Sequence, residues 1–175
     1  MDKAQITIRR LQAADAQLYR EIRLEALERE PEAYSSTFGA EYVHRLDWFA
    51  DRIARSPVFG AFAERKLLGI AGFFAQAGAK HAHKGAVWGV YVRPEARGQG
   101  VGRQLVETVI GFARDHVEIL QITVVTGNEA ALRLYEALGF VQYGLEKKAL
   151  KHDGVYSDEI LMALELEELR NSELP

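Results

Sequence analysis

The stretch Val90-Tyr91-Val92-Arg93-Pro94-Glu95-Ala96-Arg97-Gly98-Gln99-Gly100-Val101-Gly102-Arg103 constrains this chain more than any other. An apolar, β-branched run enters a Pro turn, then an Arg/Gly-rich loop. A helical pattern follows, with Val101, Leu105, Val109 and Phe112 at core spacing. Glycines at alternate positions leave backbone N–H groups uncovered where the helix begins. A helix N-terminus carries unpaired donors and the positive end of the dipole, so it favours phosphate. Arg97 and Arg103 add charge that is not lost near neutral pH.

Two common phosphate loops do not fit. A P-loop ends in Gly-Lys-Ser/Thr, and here Gly102 is followed by Arg103-Gln104. A dinucleotide loop needs G-x-G-x-x-G, and Arg103 stands where the third Gly should be. Taken alone, the glycines are equally consistent with a tight turn. Composition narrows the partners. The net charge of −3 supplies no basic field for nucleic acid. The absence of cysteine excludes disulfides, thiolate metal sites and a cysteine nucleophile, and is compatible with a cytoplasmic protein. Neither a signal peptide nor an apolar run of membrane-spanning length is visible, so no membrane is expected. The 175 residues suit one domain with a substantial core, here 1–175, with 165–175 expected to be a frayed acidic tail.

Around the loop, the periodicity reads β-α-α-β-β-β-α-β-α-β-β, a mixed α/β order. A first strand runs from Gln5 to Leu11 and a helix from Asp15 to Glu30. A second helix is predicted to carry Tyr42, Leu46, Phe49 and Ile53 on one face, ending before Pro57. Strands follow at Val58–Glu64, Leu67–Gln76 and Ala86–Val92. The later elements are a helix from Gly100 to about His116, a buried strand Ile119–Thr126 and a helix Asn128–Leu138. Strands Phe140–Leu150 and Val155–Leu164 close the series, joined near Asp153-Gly154, a hairpin signal.

Two segments together resemble a known family. Arg97-Gly98-Gln99-Gly100-Val101-Gly102 is similar to the R/Q-x-x-G-x-G/A motif of the GCN5-related N-acetyltransferases. Asn128-Glu129-Ala130-Ala131-Leu132-Arg133-Leu134-Tyr135-Glu136-Ala137-Leu138-Gly139-Phe140 resembles that family's N-x-x-A-x-x-L-Y-x-x-x-G-F segment. The element order agrees over nearly the whole chain. The resemblance implies a central, mostly antiparallel mixed sheet split by a V-shaped slot and flanked by about four helices. It implies acetyl coenzyme A as donor, with no metal, and acetyl transfer to an amine by direct attack in a ternary complex.

On that resemblance, Arg97, Gly98, Gln99, Gly100, Val101, Gly102 and Arg103 would hold the coenzyme A pyrophosphate. Val90, Tyr91 and Val92 would meet the pantetheine arm as an added strand, one N–H polarising the acetyl carbonyl. Asn128 would contact the coenzyme A arm; its plain reading is a helix cap. Tyr135 would protonate the departing thiolate. Leu132 and Leu138 share its side of the helix, so simple packing is the other reading.

The acceptor side is less constrained. A primary amine has a pKa near 10.4, so a general base or water chain is needed at neutral pH. Relatives often place Glu on the strand before the loop, whereas Lys84-Gly85-Ala86-Val87-Trp88-Gly89-Val90 has no carboxylate. A water relay to a peripheral carboxylate, or to His81 or His83, is the expectation. Acceptor specificity is expected from Pro31–Ile53 and Lys148–Asp158. There Tyr34, Phe38 and Tyr42 would form apolar wall and Glu41 would attract a cation or lie at the surface. Asp158 would face substrate or solvent. The acceptor is expected to be a small-molecule or protein amine. Relatives are often dimers, which leaves a homodimer as an expectation without a legible interface. A non-catalytic acyl coenzyme A sensor is the alternative function.

Overall fold

A computed structural model of the chain describes residues 5–166. The helices are α1 (Ala16–Arg29), α2 (Phe38–Tyr42), α3 (Leu46–Arg55), α4 (Val101–Ala113) and α5 (Glu129–Ala137). The strands are β1 (Ile6–Arg10), β2 (Val58–Ala63), β3 (Lys66–Ala75), β4 (Lys84–Val92), β5 (Ile119–Val125), β6 (Val141–His152) and β7 (Val155–Glu165). They form a seven-stranded sheet in the order β1-β2-β3-β4-β5-β7-β6. The β1–β2, β2–β3, β5–β7 and β6–β7 pairings are antiparallel, and β4–β5 is parallel. The mixed, mostly antiparallel sheet matches the expected fold class. Among the described residues no helix is long and apolar enough to cross a membrane.

The chain divides into two compact units, one running up to Phe73 together with Trp88–Val109, the other comprising Phe74–Val87 and the chain from Ile110 onward. In the first unit, α1 buries Tyr19, Ile22, Ala26 and Leu27, while α3 buries Phe49 and Ile53. All of these but Leu27 join Val58, Phe62, Leu67 and Ile70 of β2 and β3 in one core cluster. The 3.6-residue period of the helices and the buried runs of the strands thus face each other, and this burial drives folding. In the second unit, Leu120, Ile122 and Val124 of β5 are buried, with Met162, Tyr135 and Phe140 also in the interior.

Two expectations are corrected. The second predicted helix is two helices. Glu41 turns inward to meet Arg23, leaving Tyr42 54% exposed, so the α2 face does not continue into α3. The chain breaks at Val43–Arg45, and Leu46 is also exposed. Among the described residues this gives five α-helices, within the expected layout of about four. The predicted frayed end begins too early. Glu165 pairs with Ile119 in the ladder, and buried Leu166 donates its N–H to Glu118 O at 2.7 Å. The rest of the predicted tail, 167–175, lies outside the described residues.

Strand β4 carries a break in parity. Lys84 C=O accepts from Gln76 N–H, and Arg93 N–H donates to Leu68 C=O, so both face β3. Backbone groups alternate sides along a strand, yet these residues are an odd number of positions apart. One residue is therefore inserted between them. Gly89, at φ +62°, is where the backbone takes the left-handed conformation that accommodates it. After the bulge, Val90 and Val92 turn their backbone groups away from β3.

Candidate active site

The loop leaving β4 is built from local bonds. Pro94–Ala96 makes a single 3₁₀ turn, with Ala96 N–H bonded to Arg93 O. Gly98 (φ +71°) and Gly100 (φ +78°) then adopt positive φ. A β-carbon on Gly98 would meet no atom within 4 Å. The loop is therefore bare as well as sharply turned. Gln104 N–H bonds to Gly100 O at 3.0 Å, the first bond of α4. The amides of Val101, Gly102 and Arg103 precede it and have no partner one turn back within the helix. Val101 and Leu105 are buried and anchor this end, while Gly98, Gln99 and Gly100 are exposed. The result is an open donor cradle on the positive end of a helix, which fits a pyrophosphate.

The two flanking arginines differ. Arg97 Nε donates to Val92 O at 2.9 Å and Nη2 to Glu30 at 2.5 Å. Its guanidinium also lies 5.6 Å from the Tyr91 ring centre. Arg97 therefore ties the loop to the segment just after α1. Arg103 pairs with Glu107 one helical turn on, at 2.8 Å, and stays half exposed.

Glu25 and Glu30, which sequence reasoning did not single out, and Tyr34, expected there as apolar wall, hold β4 and its loop from the α1 side. Tyr91 donates its hydroxyl to Glu25 Oε1 at 2.9 Å, and Arg93 lies 3.1 Å from Glu25 Oε2. Burial, aided by the Glu25 carboxylate, pushes the Tyr91 phenol up to about 12. Tyr34 donates its hydroxyl to Val90 O at 2.9 Å. Thus the carbonyls of Val90 and Val92, on the side away from β3, accept from Tyr34 and Arg97. Glu25 and Glu30 had no signal in the sequence, nor did the Tyr34 bond to Val90, because the partners lie 56 to 67 positions away.

Beneath the bulge lies a buried ionic group. Arg23 holds Glu41 by two bonds, Nε to Oε2 at 2.9 Å and Nη2 to Oε1 at 2.7 Å. Both side chains are 4% exposed. Burial works to raise the Glu41 pKa, but the hydrogen bond and charge of Arg23 outweigh it and hold the carboxyl below its usual range. Arg52 Nη1 approaches Glu41 Oε1 at 3.4 Å. Glu41 is thus neither at the surface nor available to attract a cation, because two guanidiniums already occupy it.

The second unit holds the remaining sites. Asn128 caps α5, its Oδ1 accepting from Ala131 N–H at 3.2 Å. Tyr135 is buried edge-on to Phe140, and desolvation pushes its phenol pKa far up. Glu146 of β6 stands opposite Glu159 of β7. Burial first, then the Glu146 charge, raises the Glu159 pKa. Asp158 accepts from Lys148 N–H at 2.8 Å and so braces the hairpin. His81 is exposed in the turn before β4, and His83 O accepts from Glu118 N–H and Ile119 N–H.

The acetyltransferase (GNAT) family model matches residues 18–140 of the chain. L-amino acid N-acyltransferase MnaT of Escherichia coli is 31% identical, over 71% of this chain and 74% of its own length. N-alpha-acetyltransferase RimI of Mycobacterium tuberculosis is 34% identical, over 54% of this chain and 58% of its own length. Among solved structures, yncA of Salmonella typhimurium, determined with its cofactor acetyl-CoA, has a TM-score of 0.78 at 25% identity. That likeness covers 95% of this chain and 96% of yncA.

Proposed function

This chain belongs to the GNAT acetyltransferase family, and from that premise we propose that it transfers acetyl from acetyl-CoA to an amine by direct attack in a ternary complex. The family match runs across both compact units, so we take them as parts of one catalytic domain. The observation that carries the reading is the bare, glycine-opened start of α4 directly after a bulged strand. The loop Arg97–Arg103 binds the coenzyme A pyrophosphate through its backbone amides, with Arg103 adding charge. Arg97 keeps the loop in shape by its bonds to Val92 and Glu30.

The donor, when bound, supplies a thioester carbonyl open to attack by an amine. Val90–Val92 orient it along the edge that the Gly89 bulge turns away from β3, with an amide N–H polarising the carbonyl. Asn128 steadies the coenzyme A arm while capping α5. Tyr135 is our assignment for the proton donor to the leaving thiolate; burial weakens it as an acid, so the transfer needs the thiolate desolvated beside it. No carboxylate stands on β4 itself, so the acceptor amine loses its proton through water to a more distant base. A peripheral carboxylate reached through water is our assignment for that base, with His81 and His83 as the alternative. The amino-acid acyltransferase activity named for MnaT makes a small amine the first acceptor class to try.

The test is release of free coenzyme A thiol with a panel of amino acids, polyamines, amino sugars and N-terminal peptides. Acceptor-dependent release supports the proposal. Binding of acetyl-CoA with no turnover on any acceptor would replace it with a sensor role.

A further inference from the structure

We propose that Arg52 anchors an anionic group of the acceptor, so that the substrate is an amine that also bears a carboxylate, such as a free amino acid. This rests on the acetyl-transfer reading above and concerns only its acceptor.

The inference comes from an imbalance of donors and acceptors in the first unit. Two guanidiniums, Arg23 and Arg52, meet one carboxylate, Glu41. Arg23 engages both Glu41 oxygens at 2.9 and 2.7 Å, and Ser36 also donates to Glu41. Arg52 is left with one long approach of 3.4 Å. A third donor adjoins them. Tyr19 OH is fully buried without a hydrogen-bond partner and lies within the field of both arginines and Glu41. Buried donors without acceptors are costly, and an uncompensated guanidinium more so. An incoming carboxylate on Arg52 would bring that guanidinium acceptor oxygens and the missing negative charge, while Tyr19 OH, fully buried, stays out of its reach.

The shape suits a planar anion. The Arg52 guanidinium lies 4.7 Å from the Trp88 ring centre and 5.0 Å from that of Trp48. Indole faces hold the guanidinium plane and leave its edge for bidentate pairing. Arg52 is 27% exposed, against 4% for Arg23, so Arg52 is the one a ligand can reach. The location suits the reaction as well. Arg23 Nη1 lies 3.6 Å from the point a Gly89 β-carbon would occupy, so this ionic group adjoins the bulge of β4. A carboxylate on Arg52 would hold its own amine close to that bulge. A peptide N-terminus has an amide where the free amino acid has this carboxylate, so Arg52 would also discriminate against protein acceptors.

The test compares L-amino acids with their α-amides as acceptors, in wild type and in Arg52→Gln. The expected result is a preference for the acids on the order of tenfold or more in kcat/KM. Arg52→Gln should raise KM for the acid and erase the preference, leaving KM for acetyl-CoA unchanged; Arg52→Lys should restore part of it. The chain's two tryptophans are Trp48 and Trp88, so their fluorescence reports carboxylate binding without turnover. Saturation by the acid but not the amide, lost in Arg52→Gln, is the supporting result there. Acetyl-CoA turnover with equal use of acids and amides, or an undiminished preference in Arg52→Gln, overturns this assignment alone. Failure of acetyl-CoA to bind would overturn it together with the donor reading.

Discussion

Gly72 lies beneath the Trp88 indole, and a β-carbon there would sit 2.4 Å from Cε2 and 2.6 Å from Nε1. The ring is stiff, so the side chain must move as a body. Gly72→Ala is expected to cost about 1–3 kcal/mol of stability by overpacking, with a changed tryptophan emission, as read by urea unfolding and fluorescence. Glu41 makes a harsher case. Removing it by Glu41→Ala would strand the buried Arg23 charge and cost about 3–5 kcal/mol in the same unfolding assay. The double change Arg23→Met with Glu41→Leu should cost less than Glu41→Ala alone. Two histidines test the proton relay. His81→Ala and His83→Ala should leave the acid limb of the pH–rate profile in place; its loss in either variant would assign the base to that histidine.

At the scale of elements, α5 and β4 differ in what they reveal. The α5 boundaries follow from local chemistry: Asn128 caps the helix and Gly139 follows its end. Asn128→Ala should cost about 1 kcal/mol of stability, and Asn128→Ser should restore most of it. A raised KM for acetyl-CoA in both variants would mark a contact with coenzyme A beyond the cap, whereas an unchanged KM in the stable Ser variant would leave only capping. The β4–α4 junction was legible for the same reason, because glycine spacing and helix start lie within one short stretch. The bulge at Gly89 was not, since its evidence is the parity of bonds to β3, which no local pattern encodes. The break between α2 and α3 was also hidden. Tyr42, Leu46, Phe49 and Ile53 keep helical spacing, but Glu41 is drawn inward by an arginine 18 positions earlier. Tertiary pairing of charge overrode the apolar period.

For the molecule as a whole, the paired carboxylates predict its acid limit. Hydrogen bonds from Arg9 hold the Asp15 carboxyl below its ordinary value of 3.8, and Glu41 is likewise held below 4.5. A depressed carboxylate stabilises the fold above its unfolded pKa and loses that contribution as pH falls through its folded value. Stability should therefore hold from neutral pH down to about 5 and decline below about 4, with a shallower decline in Asp15→Asn. The central claim concerns the donor. Its most direct measurement is coenzyme A thiol release from acetyl-CoA, with and without amine, in wild type and in Gly100→Val. Because Gly100 has φ +78°, a β-branched residue there would distort the cradle. The account predicts release that requires an amine, saturates in acetyl-CoA and falls about tenfold or more in kcat/KM in Gly100→Val. Binding of ATP or NAD in place of acetyl-CoA, or full activity in Gly100→Val, would contradict it.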